Sequence, residues 1–410
     1  MVATPHTDAV TLDGVDDAGL AAWASAFGQV FGTTLTDDRL ANMRKVLELD
    51  RLVAATDADG EVVGTSGAYS FDLSLPGGTT APCAGVTLVS VRADHRRRGL
   101  LTRMMARLLD DAEARGEPFA ALWASESPIY GRFGFGSAAP TADVELRRDA
   151  STLHLDGPVD EVVLLSLDAA AERFPAIREA HRATRPGSLS YDDRWWRGRI
   201  LADPAHRREQ AGPVRCAWLP DRGFAVYRVS LDWAEDGPAG RVEVEELVAL
   251  DPAAHAALWR FVIDTDLTAT TFAVRRPVDD PLFALLVDPD RVRYRPGGPL
   301  ELRLVDVATA LTARTYGADG TVVFDLTDRF RPDNAGRWRL EVCDGAATCT
   351  RTDDPVDVRL DVAELGAVFL GGTRTTQRVS AGRVDASLAA AATVDRLFAT
   401  DVAPWHGGMF

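Results

Sequence analysis

His95-Arg96-Arg97-Arg98-Gly99 stands between a strand-like run, Val86–Val91, and a helical series that starts at Leu100. A helix start exposes unpaired backbone N–H groups at the positive end of the helix dipole, so such a turn can hold a pyrophosphate by main chain. Gly99 lets that main chain approach closely, and the arginines add charge. The plainer alternative is a solvated basic turn. Further on, Leu122-Trp123-Ala124-Ser125-Glu126-Ser127-Pro128-Ile129-Tyr130-Gly131-Arg132-Phe133-Gly134-Phe135 places a tyrosine beside an aromatic-glycine stretch. On the residue alone, Tyr130 reads as packing against Phe133 and Phe135. The chain closes with Pro404-Trp405-His406-Gly407-Gly408-Met409-Phe410. Its glycines can bend and its aromatics can anchor, although a frayed terminus is the ordinary expectation.

These groups need elements to position them. Leu20, Trp23, Ala24, Phe27 and Phe31 recur at helical spacing, and a second helix is predicted from Thr36. Arg51–Thr56 and Glu61–Tyr69 flank the turn Asp57-Ala58-Asp59-Gly60 as a hairpin, and a strand is predicted over about Gly85–Val91. Leu100, Leu101, Met104, Met105, Leu108, Leu109 and Ala112 keep helical period until Gly116. Phe119–Ala124 reads as a strand, and Ser127-Pro128 as a helix N-cap with proline following. This order describes a mixed α/β domain over 1–147. A strand–turn–helix–strand–helix series recurs over Arg241–Leu250, Pro252–Asp264, Ala269–Val274 and Pro281–Leu286, which indicates a divergent duplication over 148–297. Arg295-Pro296-Gly297-Gly298-Pro299 marks a boundary before a third domain, 298–410, with strands Leu300–Val305, Val322–Leu326, Trp338–Val342 and Val356–Leu360 and a helix Ser387–Phe398.

The stretch Val89-Ser90-Val91-x3-His95-Arg96-Arg97-Arg98-Gly99-Leu100-Leu101 resembles the coenzyme A loop of the GNAT superfamily of N-acetyltransferases. That pattern is Gln or Arg, two residues, Gly, one residue, then Gly or Ala; Arg96 and Gly99 match it, and Leu101 departs from it. Together with the Tyr130 segment, the chain resembles the enhanced intracellular survival (Eis) family, whose turn likewise carries leucine. The resemblance is strong over about residues 84–136 and architectural elsewhere.

It implies an α/β (α+β) fold with tandem GNAT-like domains followed by a sterol-carrier-protein-like domain, and an acetyl-CoA-dependent enzyme without a metal. Val89, Ser90 and Val91 would offer strand main chain to the pantetheine arm. Arg96, Arg97, Arg98, Gly99, Leu100, Leu101 and Thr102 would form the pyrophosphate site, and Ser125 and Glu126 the far strand edge. Tyr130 would be the general acid, since a phenol with pKa about 10 can share a proton with a thiol of about 8.5. The Phe410 carboxylate would be the base. His95 reads as positional; His406 could be a general base by pKa, with a structural or solvent-facing histidine as the plainer reading. The implied acceptors are primary amines of cationic small molecules such as aminoglycosides, with lysine peptides or polyamines as the enzymatic alternative. Met409 stands where a polyamine-binding relative has an acidic residue. The family also implies a homohexamer. A rival reading is a non-catalytic acyl-CoA or lipid-binding protein.

The second copy has Leu250-Asp251-Pro252-Ala253-Ala254 where the first has its basic turn. Asp251 would cap a helix and repel a pyrophosphate, so this copy is expected to bind no coenzyme A. The 410 residues suit two to four domains of ~100–200 residues. With 45 basic against 61 acidic residues the formal charge is −16, which argues against nucleic acid and for cationic partners. No apolar run reaches the ~18–20 residues of a membrane span and the start lacks a signal pattern, so a cytoplasmic location is expected. Cys83, Cys216, Cys343 and Cys349 read as reduced thiols, with a facultative Cys343–Cys349 bridge across a hairpin as the alternative. Trp195, Trp196, Trp218 and Trp233 are expected in the core.

Overall fold

The computed structural model describes residues 10–155, 160–235 and 237–410. The first unit comprises β1 (Thr11–Gly14), α1 (Leu20–Val30), α2 (Asp37–Arg44), β2 (Leu52–Thr56), β3 (Val62–Ser74), β4 (Thr80–Val91), α3 (Leu100–Ala114), β5 (Phe119–Trp123), β6 (Gly136–Ala139) and β7 (Thr141–Arg147). It keeps the predicted order from α1 to β5 and adds three strands outside that prediction, β1, β6 and β7. The Thr36 hydroxyl accepts the Arg39 N–H at 3.3 Å and so caps α2. On α3, Leu100, Met104, Met105, Leu108, Leu109 and Ala112 form the buried stripe that their spacing predicts. This stripe covers one face of the sheet; α1 covers the other, where the buried Trp23 indole donates to Val53 O at 2.9 Å.

Two strands change places between the sheets. The strand Leu300–Leu304, expected in the third domain, lies antiparallel between β5 and β6 and completes a seven-stranded first sheet. In turn, β7 leaves the first unit and joins the second seven-stranded sheet beside Arg293–Pro296 and Thr268–Pro277. Local patterning marks a strand but carries no information about its sheet, which long-range burial decides. All five residues of Leu300–Leu304 are buried. The predicted helix at Ser127-Pro128 is instead two 3₁₀ turns, Ser127–Ile129 and Gly131–Phe133, ended by Gly134 at φ 85°. Cys343 pairs with Ala346 and Cys349 with Leu340, so the two thiols do not face each other, and all four cysteines are free. Trp195 and Trp196 are core residues, whereas Trp233 is 66% exposed.

In the first sheet β4 and β5 run parallel and pair over three positions, Cys83–Phe119 to Gly85–Ala121, and then diverge. The cause lies in β4. Its register with β3 slips between Thr65 and Gly67, and Leu88 sits at φ 53°. Thr65 secures the bulge by donating to Leu88 O at 2.8 Å, and such a bulge bends its strand.

The second unit repeats this plan. Gly240–Ala249 and Thr268–Pro277 pair in parallel as far as Val244–Ala273 and then separate. Here Arg276 spans the gap: it donates to Leu247 O at 3.0 Å and pairs with buried Asp280 at 2.8 Å. Asp251 caps the helix Pro252–Ile263 and is gripped by two Arg222 nitrogens, each at 2.7 Å. An opening bridged by a guanidinium and headed by a carboxylate suits no pyrophosphate-bearing ligand.

Candidate active site

The basic turn presents Arg96, Arg97, Arg98 and Gly99 to solvent, with Arg97 at φ 63° and Gly99 at φ 76°. The first α3 amide to find a backbone acceptor is that of Arg103, on Gly99 O at 3.1 Å, so the amides before it point outward. The one acidic side chain in the turn, Asp94, is occupied by Arg92 at 2.8 Å and His95 Nδ1 at 3.0 Å. His95 is therefore a brace. Ser90 turns its hydroxyl to Thr65 at 2.8 Å, and the Leu100 side chain is buried, so both have only main chain to offer a ligand. Val89 and Val91 are half-buried along the bulged part of β4, Leu101 packs toward the Tyr130 cluster, and Thr102 is exposed. Arg96 Nε donates to Val91 O at 3.4 Å, and among the described residues Arg97 and Arg98 have no hydrogen-bond or ion-pair partner; free amides, these guanidinium groups and a diverging strand pair fit the diphosphate and pantetheine of acetyl-CoA. Gly99→Val meets no atom within 4 Å but places a β-branched residue at φ +76°. It is expected to weaken acetyl-CoA binding about tenfold, read as a calorimetric Kd.

Tyr130 is held by its own turn, its carbonyl accepting the amides of Phe133 at 2.9 Å and Phe135 at 3.4 Å. The ring is 8% exposed and meets Phe135 edge-on at 6.2 Å. Burial, then the Glu301 and Glu126 carboxylates, raise its pKa, so the phenol keeps its proton at neutral pH. Ser125 and Glu126 do not form the far strand edge: β5 ends at Trp123, and both are exposed in the bend beyond it. The edge at the opening is Leu122–Trp123, short of the position that the resemblance implies, because the chain turns toward Tyr130 beyond β5.

The terminal segment is held almost residue by residue. Asp279 accepts the Ala403 amide at 2.8 Å, Arg185 donates to Ala403 O at 2.8 Å, and the Trp405 amide donates to Pro186 O at 2.7 Å. Ser188 donates to Trp405 O at 2.9 Å, Arg275 to Gly407 O at 2.7 Å, Trp123 to Gly408 O at 2.8 Å, and Arg199 to Met409 O at 3.2 Å. All of these partners but Trp123 belong to the second unit, a role that motif reading misses because single polar residues scattered over ninety positions carry no spacing signal. His406 is fully buried, takes the Leu189 amide on Nδ1 at 3.4 Å, and is held neutral by burial and by Arg178 and Arg275. It is structural rather than solvent-facing. Gly408 lies so close to Tyr191 that a Cβ would fall 1.9 Å from its hydroxyl. Gly408→Ala is expected to shift Met409 and Phe410 and lower kcat ~10²-fold, against a small change in melting temperature; an unchanged kcat would show that the tail's position does not matter.

Phe410 ends at the point where β4 and β5 part. Its ring packs on Phe71 at 5.2 Å and would lie 3.3 Å from a Cβ on Gly85, the last residue of β4 paired to β5. Among the described residues no cation lies within ion-pair distance of its carboxylate. Phe71, Cys83 and Ala121 belong to one face of the sheet, and Ala84, Ala120, Leu122 and Tyr130 to the other. Phe410 and Tyr130 thus stand on opposite faces of the opening.

Three family models match the chain: an acetyltransferase (GNAT) domain over residues 12–138, a second acetyltransferase (GNAT) domain over 187–304, and a sterol carrier protein domain over 307–407. Fold and matches together define a GNAT acetyltransferase with a carrier-type third domain. An uncharacterized N-acetyltransferase of Streptomyces avermitilis is 44% identical over 88% of this chain and 90% of its own. N-acetyltransferase Eis of Mycobacterium tuberculosis is 34% identical over 88% of this chain and 89% of its own. The crystal structure of Eis1 from Mycobacterium abscessus superposes with a TM-score of 0.85 at 32% identity, covering 98% of this chain and 100% of that one. The chain belongs to the Eis family of GNAT N-acetyltransferases. It is an enzyme that moves acetyl from acetyl-CoA to an amine. Among the described residues no helix is long and apolar enough to cross a membrane.

Proposed function

We propose that the protein acetylates primary amines of cationic small molecules, aminoglycosides among them, by direct transfer in a ternary complex. The placement of Phe410 and Tyr130 on opposite faces of the β4–β5 opening carries this reading. The thioester carbonyl would lie in the opening, with Arg96–Thr102 holding the diphosphate and Val89–Val91 the pantetheine. The Phe410 carboxylate takes a proton from the acceptor ammonium or attacking amine, whose nitrogen bonds to the carbonyl carbon. The tetrahedral adduct then expels sulfur as the C–S bond breaks, and Tyr130 delivers its proton to the departing thiolate. A basic group on one face and an acid on the other let both transfers occur without either residue moving.

The lipid-carrier alternative finds less support. The interior of the third domain is filled by Val322, Phe324, Leu340, Phe369 and Phe398 around Arg314, whose guanidinium donates to Phe369 O and to Phe398 O. The enzyme is taken to work in the cytoplasm as the homohexamer that its family implies, which light scattering would test. A mass-shift assay of acetyl transfer to aminoglycosides, polyamines and lysine peptides tests the acceptor. Turnover of aminoglycosides above the others is expected, and turnover of lysine peptides alone would replace the small-molecule reading.

A further inference from the structure

The strand exchanged into the first sheet brings a carboxyl group that neither the Tyr130 nor the Phe410 role uses. Glu301 lies opposite Leu122 on β5 and Ser137 on β6. Alternation along the strand sends Leu300, Leu302 and Leu304 into one core and sets Glu301 and Arg303 on the face of Leu122 and Tyr130. Glu301 is 4% exposed, and its Oε2 has no hydrogen-bond partner. Its side-chain contact is Ser127, which opens the turn leading to Tyr130. The cation two residues away is already committed: Arg303 pairs with Asp328 at 2.5 Å and donates to Phe133 O. The α3 side chains packed over this face include Met105, Leu108 and Leu109, all uncharged; the other charges near Tyr130 among the described residues are Glu126 in the exposed bend and the exposed Arg132, whose guanidinium lies over the Phe133 ring.

We propose that Glu301 is a positioning residue for proton transfer at Tyr130: kept neutral, it spares the phenol a neighbouring negative charge while the phenol's proton passes to sulfur. The inference rests on Tyr130 as the general acid. A phenol that gives up its proton becomes an anion, and an ionised Glu301 on the same side of the sheet opposes that step. Burial without a cation pushes the Glu301 carboxyl up to about 7, with the Ser127 bond opposing, so its ionisation falls within the working range. The neutral carboxyl is therefore an acid-side state that is lost as pH rises. The sequence carries the residue as one polar position in an apolar strand, and only the strand exchange brings it to the site.

Glu301→Gln keeps shape and hydrogen bonding but cannot ionise. The ratio of its kcat to that of the wild type, measured on one amine from pH 6 to 8.5, is expected to climb about tenfold, the value of one pKa unit at Tyr130. Acceptor-amine ionisation cancels in that ratio. In a Tyr130→Phe background the ratio is expected to stay flat. A flat ratio in the wild-type background, or an equal climb in the Tyr130→Phe background, overturns the proposal; full activity of Tyr130→Phe itself would instead remove the general-acid reading beneath it. Thermal unfolding gives a readout independent of turnover. A carboxyl raised from 4.5 to about 7 in the folded state contributes stability that is present below pH 4.5 and lost as pH rises through 7. The Gln variant therefore gains in melting temperature over the wild type between pH 5 and 8, and an unchanged difference shows that Glu301 is already ionised.

Discussion

Adding a short tag after Phe410 is expected to lower kcat by about 10²–10⁴-fold, the range of a lost general base, while acetyl-CoA affinity stays within about twofold. The argument is geometric. From Ala403 to Met409 the tail is fixed by partners in the second unit and by Trp123, so a tag does not pull Trp405 or His406 from their buried sites. The tag instead converts the Phe410 carboxylate, which pairs with no cation among the described residues, into a neutral amide beside the opening. Phe410→Ala separates the two contributions: it keeps the carboxylate at the same chain length and loses the ring's packing on Phe71 and His406 and beside Gly85. Its loss of kcat is expected to be smaller than that of the tagged chain. Wild-type kcat in a tagged enzyme, with melting temperature unchanged, would rule out the carboxylate as base.

Tyr130→Phe is expected to reduce kcat by about 10²–10⁴-fold with the Kd of acetyl-CoA unchanged. The ring contributes packing against Phe135, which phenylalanine retains, so the folded state should be preserved and the loss should report the hydroxyl. Because burial raises the pKa of the phenol, it stays protonated through neutrality and into mild alkali. The wild type should accordingly show no loss from ionisation of Tyr130 itself around neutral pH. A substrate with a more acidic thiol leaving group provides a second check: the deficit of Tyr130→Phe should shrink as the leaving thiolate needs less protonation. An equal deficit across leaving groups would place the role of Tyr130 elsewhere.

Much of the first unit was legible because its signals are local. The α3 stripe, the Thr36 cap and the hairpin of Arg51–Thr56 and Glu61–Tyr69 rest on spacing within a few residues, and each is present in the fold. Glycine at position 99 before an apolar helix, in a run of arginines, likewise marked an exposed helix start from neighbours in sequence, and Gly99 caps α3 at φ 76°. The third-domain strands Gly320–Thr327 and Gly336–Cys343 appeared where their alternation placed them. Signals failed where the partner was distant. The pattern of Leu300–Leu304 is the same whether it completes the first sheet or starts the third, and the Ser127-Pro128 start was overruled by the glycines at 131 and 134.

The sequence by itself determined the family and its local signatures: a basic, glycine-ended turn at Arg96–Gly99 before α3, a tyrosine after β5, and a second copy with Asp251 at the helix start where the first has its basic turn. These are properties of contiguous residues, whose backbone conformation and charge follow from near neighbours. Only the tertiary structure decided which groups meet at the opening. Phe410 reaches Gly85 because residues of the second unit, from Pro186 to Asp279, hold the tail, and Glu301 reaches the Tyr130 face because its strand is inserted between β5 and β6. Such encounters join residues more than a hundred positions apart, and they are selected by burial and hydrogen-bond satisfaction over the whole molecule, which no short stretch of sequence contains.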